Sequence, residues 1–317
     1  MQPDFVQTTV AWLLTVLFYP GLVFALLLVL LGEWAVSIVR PALSPRPHRS
    51  QARLYSLLEP LYAYLRLIGR REAVRWQRPD DPPMAPAHPG ESALALVGAI
   101  APVLAMCLLP LRGTPIGNVL PPGGDLVAVL LLLAVQPLAW AALQLREGGL
   151  AALRGAQDVG RLLVGLLPAL VIVAALVEVS GSGTLSVPGL LLAPETPQQT
   201  FVRVLAGLGL LLALPWWTTW GRGTNAEQWG AGAYVSRYLQ TAAVAVLWTV
   251  LVLPVPGEVA WAVAVSVLGT LFAYVAIRLV AERWMPARRE ADAAGLAWAA
   301  ALPIAGLAFA LAFWPGA

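Results

Sequence analysis

The chain has 317 residues, 59% of them apolar and 12% charged, where an ordinary soluble domain carries roughly 25% charged residues. Its net charge of +3 comes from 20 basic residues, every one an arginine, set against 17 acids, and no basic tract with interleaved aromatics offers a nucleic-acid surface. The single cysteine, Cys107, and two histidines, His48 and His88, exclude a disulfide framework and an iron–sulfur cluster held by this chain alone.

The composition predicts an all-α, polytopic integral membrane protein, a single transmembrane domain over 1–317. In chain order the apolar runs predict eight transmembrane helices, near 11–39, 92–111, 125–145, 160–179, 200–220, 234–254, 259–281 and 293–314. A run of about 18 residues or more is long enough to cross a hydrocarbon core of roughly 30 Å as a helix. The fourth has an alternative start near Leu150, which would project it beyond the bilayer. The first run has neither a basic leader nor a small-residue cleavage signature, so it reads as a retained span. Between the first two spans lies "RLYSLLEPLYAYLRLIGRRE", Arg53 to Glu72. Its apolar residues Leu54, Leu57, Leu58, Leu61, Leu65 and Ile68 keep one side, predicting an amphipathic helix over 53–72 that lies in the membrane interface. Pro60 interrupts or kinks it by removing a backbone donor. A proline-rich connector follows at 78–91. No 20–50-residue repeat or inverted repeat is visible.

The loops alternate sharply in charge. Nine arginines fall in the 40–91 loop, and Arg146, Arg154, Arg161, Arg222, Arg237, Arg278, Arg283, Arg288 and Arg289 share its side, leaving only Arg112 and Arg203 on the other. The positive-inside rule places the arginine-rich side in the cytoplasm. The expectation is an inner (cytoplasmic) membrane protein with both termini outward.

Few charges lie in or near the spans, so each can be weighed. Glu33, in "LLVLLGEWAVSIVR", stands seven residues before Arg40, roughly 10 Å along a helix. An intramembrane carboxylate often marks a proton or ion route; the alternative is a headgroup-level pair with a loop arginine. Asp158 has Arg154 four residues before it and Arg161 three after, one helical face that is either a surface ion-pair cluster or the lining of an internal path. Glu178 and Arg203 read as interfacial. Glu227 and Arg237 flank the start of the sixth span, where a solvated end or a docking surface would suit. The glycine-rich pieces "GLGLLLAL" and "GSGTLSVPG" lack the strand–turn–helix context of phosphate binding. Cys107 reads as a packed or lipid-facing small residue. No nucleophile–base pair and no metal-ligand spacing appears, so catalysis by this chain alone is not expected.

The order of motifs resembles the membrane subunit called 1 or H of NADH:quinone oxidoreductase (respiratory complex I) and its relatives in energy-converting hydrogenases, as a divergent member. "YPGLVFALLLVLLGEW" is similar to the hydrogenase-type first span, with Glu33 at the acidic position. "LLEPLYAYLRLIGRRE" resembles the family's "LLQPLADAIKLLLKE", the most specific match. "GLAALRGAQDV", "NAEQWGAGAYVSRY" and "RWMPARREADAAGLAWAAALPI" resemble later family segments. Departures are substantial. The family's glycine-rich "GPNRVGP" becomes Pro47 to Arg53, and its acids fall on Leu163, near Trp216, and on Asn225, Trp229 and Arg237.

The resemblance implies a subunit of a redox-driven, ion-translocating complex. It would anchor a peripheral electron-transfer arm through the 53–72 helix and contribute to proton or sodium movement. Iron–sulfur clusters would belong to partner subunits, and contact with quinone is left open. Glu33, Asp158 and Glu59 are the ion-handling candidates. Arg66, Arg70, Arg71, Arg154, Arg161, Glu227, Arg237 and Arg288 are the docking candidates. Two rival readings remain: a structural joint of such a complex without an ion path, and a stand-alone transporter.

Overall fold

The computed structural model describes residues 10, 13, 17, 21–43, 89–109, 125–181, 185–187, 196–218, 226–253, 260–284 and 290–313. Among these it has eight helices: α1 Leu22–Leu43, α2 Pro89–Cys107, α3 Leu126–Glu147, α4 Gly149–Val179, α5 Pro197–Ala213, α6 Ala226–Val252, α7 Ala260–Trp284 and α8 Glu290–Ala312. A 3₁₀ turn, Leu214–Trp217, extends α5. Six helices carry apolar stretches of 18 residues or more; α2 and α8 carry shorter ones, Leu96–Cys107 and Ala300–Ala312. The 53–72 segment and most of the proline-rich connector lie outside the described residues; the connector's end, from Pro89, is already the first turn of α2. The fourth helix starts at Gly149, eleven residues before the shorter reading of its span.

Local chemistry sets the ends. Asp125 caps α3, its Oδ1 accepting from the Val127 N–H at 2.9 Å. Thr196 and Gln199 form a reciprocal capping box on α5, with Pro197 at its first position. Only Gly148 separates α3 from α4. It and Gly149 take φ of 75° and 55°, left-handed conformations that glycine adopts without a Cβ penalty. Contacts between helix ends fit an alternating up-and-down order. The Leu126 N–H donates to the Leu185 carbonyl at 2.9 Å, and Gln198 Nε2 donates to the Leu311 carbonyl at 2.7 Å.

α6 is the axis of the bundle, packing against α1, α2, α3, α5 and α7. Residues 239–251 are buried without interruption, as expected of a helix enclosed on every side. The outer helices show the reverse of soluble patterning. On α3, Leu131, Leu138 and Leu145 face outward while Gln136, Trp140 and Gln144 face the interior. Lipid is as apolar as leucine, so tight association rests on packing and hydrogen bonds. Two bonds show this. Trp248 Nε1 donates to the Gly207 carbonyl on α5 at 2.9 Å. Pro137, which has no N–H, leaves the Leu133 carbonyl without its helical donor, and Gln240 Nε2 of α6 donates to that oxygen at 2.7 Å.

Candidate functional site

Glu33, at the arginine-rich end of α1, does not face lipid. The residue before it is Gly32, where an added methyl would overlap the Tyr274 ring of α7. The missing side chain therefore lets α7 approach α1 closely and brings the Tyr274 hydroxyl to Glu33. On α7 the residues Tyr274, Arg278 and Glu282 recur every fourth position and share one face. Tyr274 Oη donates to Glu33 Oε1 at 2.8 Å. Arg278 Nε donates to the same oxygen at 2.7 Å, and its Nη2 reaches Glu33 Oε2 at 3.3 Å. Glu33 thus has two neighbours on α7, one neutral and one cationic, with both carboxylate oxygens engaged.

The network continues toward the helix ends. Arg278 Nη2 lies 3.2 Å from Glu282 Oε1. Arg40, seven residues after Glu33, grips Glu282 with both nitrogens of its fork, Nη2 to Oε1 at 2.8 Å and Nε to Oε2 at 3.1 Å. The side chains of Arg278 and Glu33 are 11% and 10% exposed, whereas those of Arg40 and Glu282 are 51% and 29% exposed. The chain of charges therefore passes from an enclosed pair to an open one. From α6, Tyr238 places its ring 5.3 Å from the Arg278 guanidinium carbon, within the range of a cation–π contact. Arg237 lies within electrostatic reach of Glu33, Arg278 and Glu282. Three arginines and two glutamates leave this group a formal charge of +1.

Such an arrangement can do two things. Removing either member of an enclosed pair leaves the other uncompensated, so the pair fixes α1 against α7. An ionisable carboxylate held by a phenol and a guanidinium is also a group whose charge a proton could change, provided the pair opens.

Asp158 occupies a different place. It is 5% exposed, and Gln144 Nε2 of α3 donates to its Oδ2 at a long 3.4 Å. It is therefore an interior residue and not a member of a surface cluster. Gly155 makes the approach possible, since a methyl there would come within 2.9 Å of the Ala141 carbonyl and 3.1 Å of Gln144 Cβ. Arg154, Arg161 and Glu227 belong to described helices, but their side chains lie outside the described residues, as do Glu59, Arg66, Arg70, Arg71 and Arg288 entirely. Glu33 and Arg237 are brought together. Glu33 and Asp158 are not: α1 packs on α6 and α7, and α4 on α3, α5 and α8. Arg203, expected at the interface, is instead buried on α5.

Tyr274, Tyr238, Arg278 and Glu282 complete the cluster without having been singled out as its members. Their signal was the four-residue spacing on α7. It could not name Glu33 as the partner, because 245 residues separate Arg278 from it.

Fold and site together define an all-helical, multi-pass membrane protein with a charged seam between its first and seventh helices. No protein-family model matches the chain, and no curated protein sequence does. Among solved structures, it is similar to a chain of the membrane-bound sulfane sulfur reductase (MBS), an archaeal respiratory membrane complex. The TM-score is 0.69, covering 96% of this chain and 99% of that one, at 15% identity. The likeness is one of fold.

Proposed function

We propose that this chain is a membrane-embedded subunit of a redox-driven, ion-translocating complex of the complex I and energy-converting hydrogenase type. The single observation that carries the reading is end-to-end likeness to a chain of a respiratory membrane complex, across 96% and 99% of the two chains. The motif order read from the sequence points the same way. In this reading the arginine-rich side faces the cytoplasm, and the 53–72 helix seats a peripheral electron-transfer arm. The electron carriers belong to partner chains, because Cys107 alone cannot supply the several thiolates an iron–sulfur cluster requires. Glu33 and Asp158 handle the ion, proton or sodium, and quinone is assigned no step here.

The pairing of Glu33 also fits one rival. A carboxylate bound by Tyr274 and Arg278 suits a structural joint as well as an ion relay. Glu33→Gln separates the two in the purified complex reconstituted into vesicles. A relay predicts fewer ions moved per electron with the complex intact. A joint predicts an unchanged ratio and a lower yield of assembled complex. Gentle-detergent affinity purification tests the parent reading: iron–sulfur partners must co-purify. A chain that runs alone would instead match a stand-alone transporter.

A further inference from the structure

Every hydrogen bond that α7 makes to Glu33 comes from a donor. Tyr274 Oη and Arg278 Nε both donate to Glu33 Oε1, at 2.8 and 2.7 Å, and Arg278 Nη2 stands 3.3 Å from Oε2. A guanidinium has no acceptor and keeps its proton in proteins. From α6, Arg237 adds a second positive charge within electrostatic reach, next to Tyr238, whose ring lies against Arg278. Arg40, on the same helix as Glu33, is turned to Glu282 of α7. These are the titratable and charged groups that α1, α6 and α7 bring to Glu33 among the described residues.

Sodium and a proton ask different things of such a carboxylate. A hard cation needs several oxygen lone pairs, and membrane carriers commonly complete a sodium shell with carbonyls of unwound helix. Both α1 and α7 run as continuous helices past this level, so the carbonyls there are committed to helical N–H groups. A sodium ion on either carboxylate oxygen would also stand beside the Arg278 guanidinium, and like charges in contact repel strongly where water is scarce. A proton needs one lone pair and no shell. Oε2 offers it, since its described contact is the long one to Nη2. Nor does a neutral Glu33 strand Arg278, because Glu282 Oε1 already lies 3.2 Å from the same Nη2. Arg40, which Glu282 also holds, is half exposed and can turn to water.

Resting on the ion-handling reading of Glu33, we infer that Arg278 and Tyr274 determine which ion Glu33 takes: their donors admit a proton and exclude sodium. The proton comes from water, binds Oε2 and returns to water. Meanwhile Arg278 exchanges Glu33 for Glu282 as its counter-charge, and back.

The purified complex tests this in two ways. In detergent, the melting temperature is followed as sodium replaces choline at constant ionic strength and pH. Wild type and Glu33→Gln should respond alike. Arg278→Gln, which puts an amide oxygen near the place of the guanidinium, should gain a sodium-specific rise. A sodium-specific rise in the wild type that Glu33→Gln abolishes overturns the inference, as does an Arg278→Gln complex that folds and gains none. In vesicles, redox-driven proton movement should persist without sodium in the wild type and fall in Glu33→Gln, a comparison that decides alone where Arg278→Gln does not fold. A Glu33-dependent flux that requires sodium overturns the inference. A flux untouched by Glu33→Gln removes the ion-handling reading and the inference with it, a signature distinct from sodium dependence.

Discussion

Two interior polar regions of this protein solve the same problem in opposite ways. At the α1–α7 seam, Glu33 meets Tyr274 and Arg278 at 2.7–2.8 Å, and the outer charges close through Glu282 and Arg40. Along α3, Gln136 and the Oε1 of Gln144 are just as enclosed, yet no described residue bonds them. The seam is a lock because its charges are answered by the protein itself. The amide row keeps bonding capacity that no described residue meets. Charge explains the difference. An unanswered carboxylate inside a bilayer is too costly to keep, whereas an unanswered amide is costly but tolerable when water can reach it.

The comparison is broken most severely at its charged end. Arg278→Ala strands Glu33 in an enclosed site, and removing one partner of a buried pair costs about 3–5 kcal/mol. A large fall in melting temperature in detergent is expected; little change would mean the seam is not a lock. Next in size is the cross-brace between α3 and α6. Gln240→Leu re-opens the Leu133 carbonyl that Pro137 cannot serve, a loss of about 1–3 kcal/mol. Pro137→Ala supplies the missing N–H, so the double variant should recover part of the loss, a coupling that a double-mutant cycle measures. Gly32→Ala presses a methyl into the Tyr274 ring, for which overpacking costs of about 1–3 kcal/mol are usual. That cost should shrink in combination with Tyr274→Ala. Smallest is Arg40→Ala. With Arg40 half exposed, its pair with Glu282 is worth about 0–1 kcal/mol and should weaken further with added salt.

Much of the architecture was legible in the sequence. The eight apolar runs correspond to eight described helices, and Glu33 stood out because a carboxylate amid leucines is rare. Its partners were not legible. Arg278 and Glu282 sit at the end of an apolar run, where arginines read as loop residues, and only the close approach permitted by Gly32 brings them to α1. Asp158 was visible, but its burial was not, because the arginines around it suggest water. The glutamines were overlooked for a simpler reason. "LLLAVQPLAWAALQL" averages as apolar, and uncharged polar residues hide in such a run until a structure shows which way they face.

The bond from Gln240 to the Leu133 oxygen spans 107 positions. Chains grow at about 5–20 residues per second, so the third helix exists for roughly 5–20 s before the sixth emerges to cover its bare oxygen. Over that interval the nascent protein has to shelter a proline-bearing segment with some temporary companion, whether insertion machinery or solvent. Biogenesis of this chain therefore has a built-in waiting period, placed there by one proline.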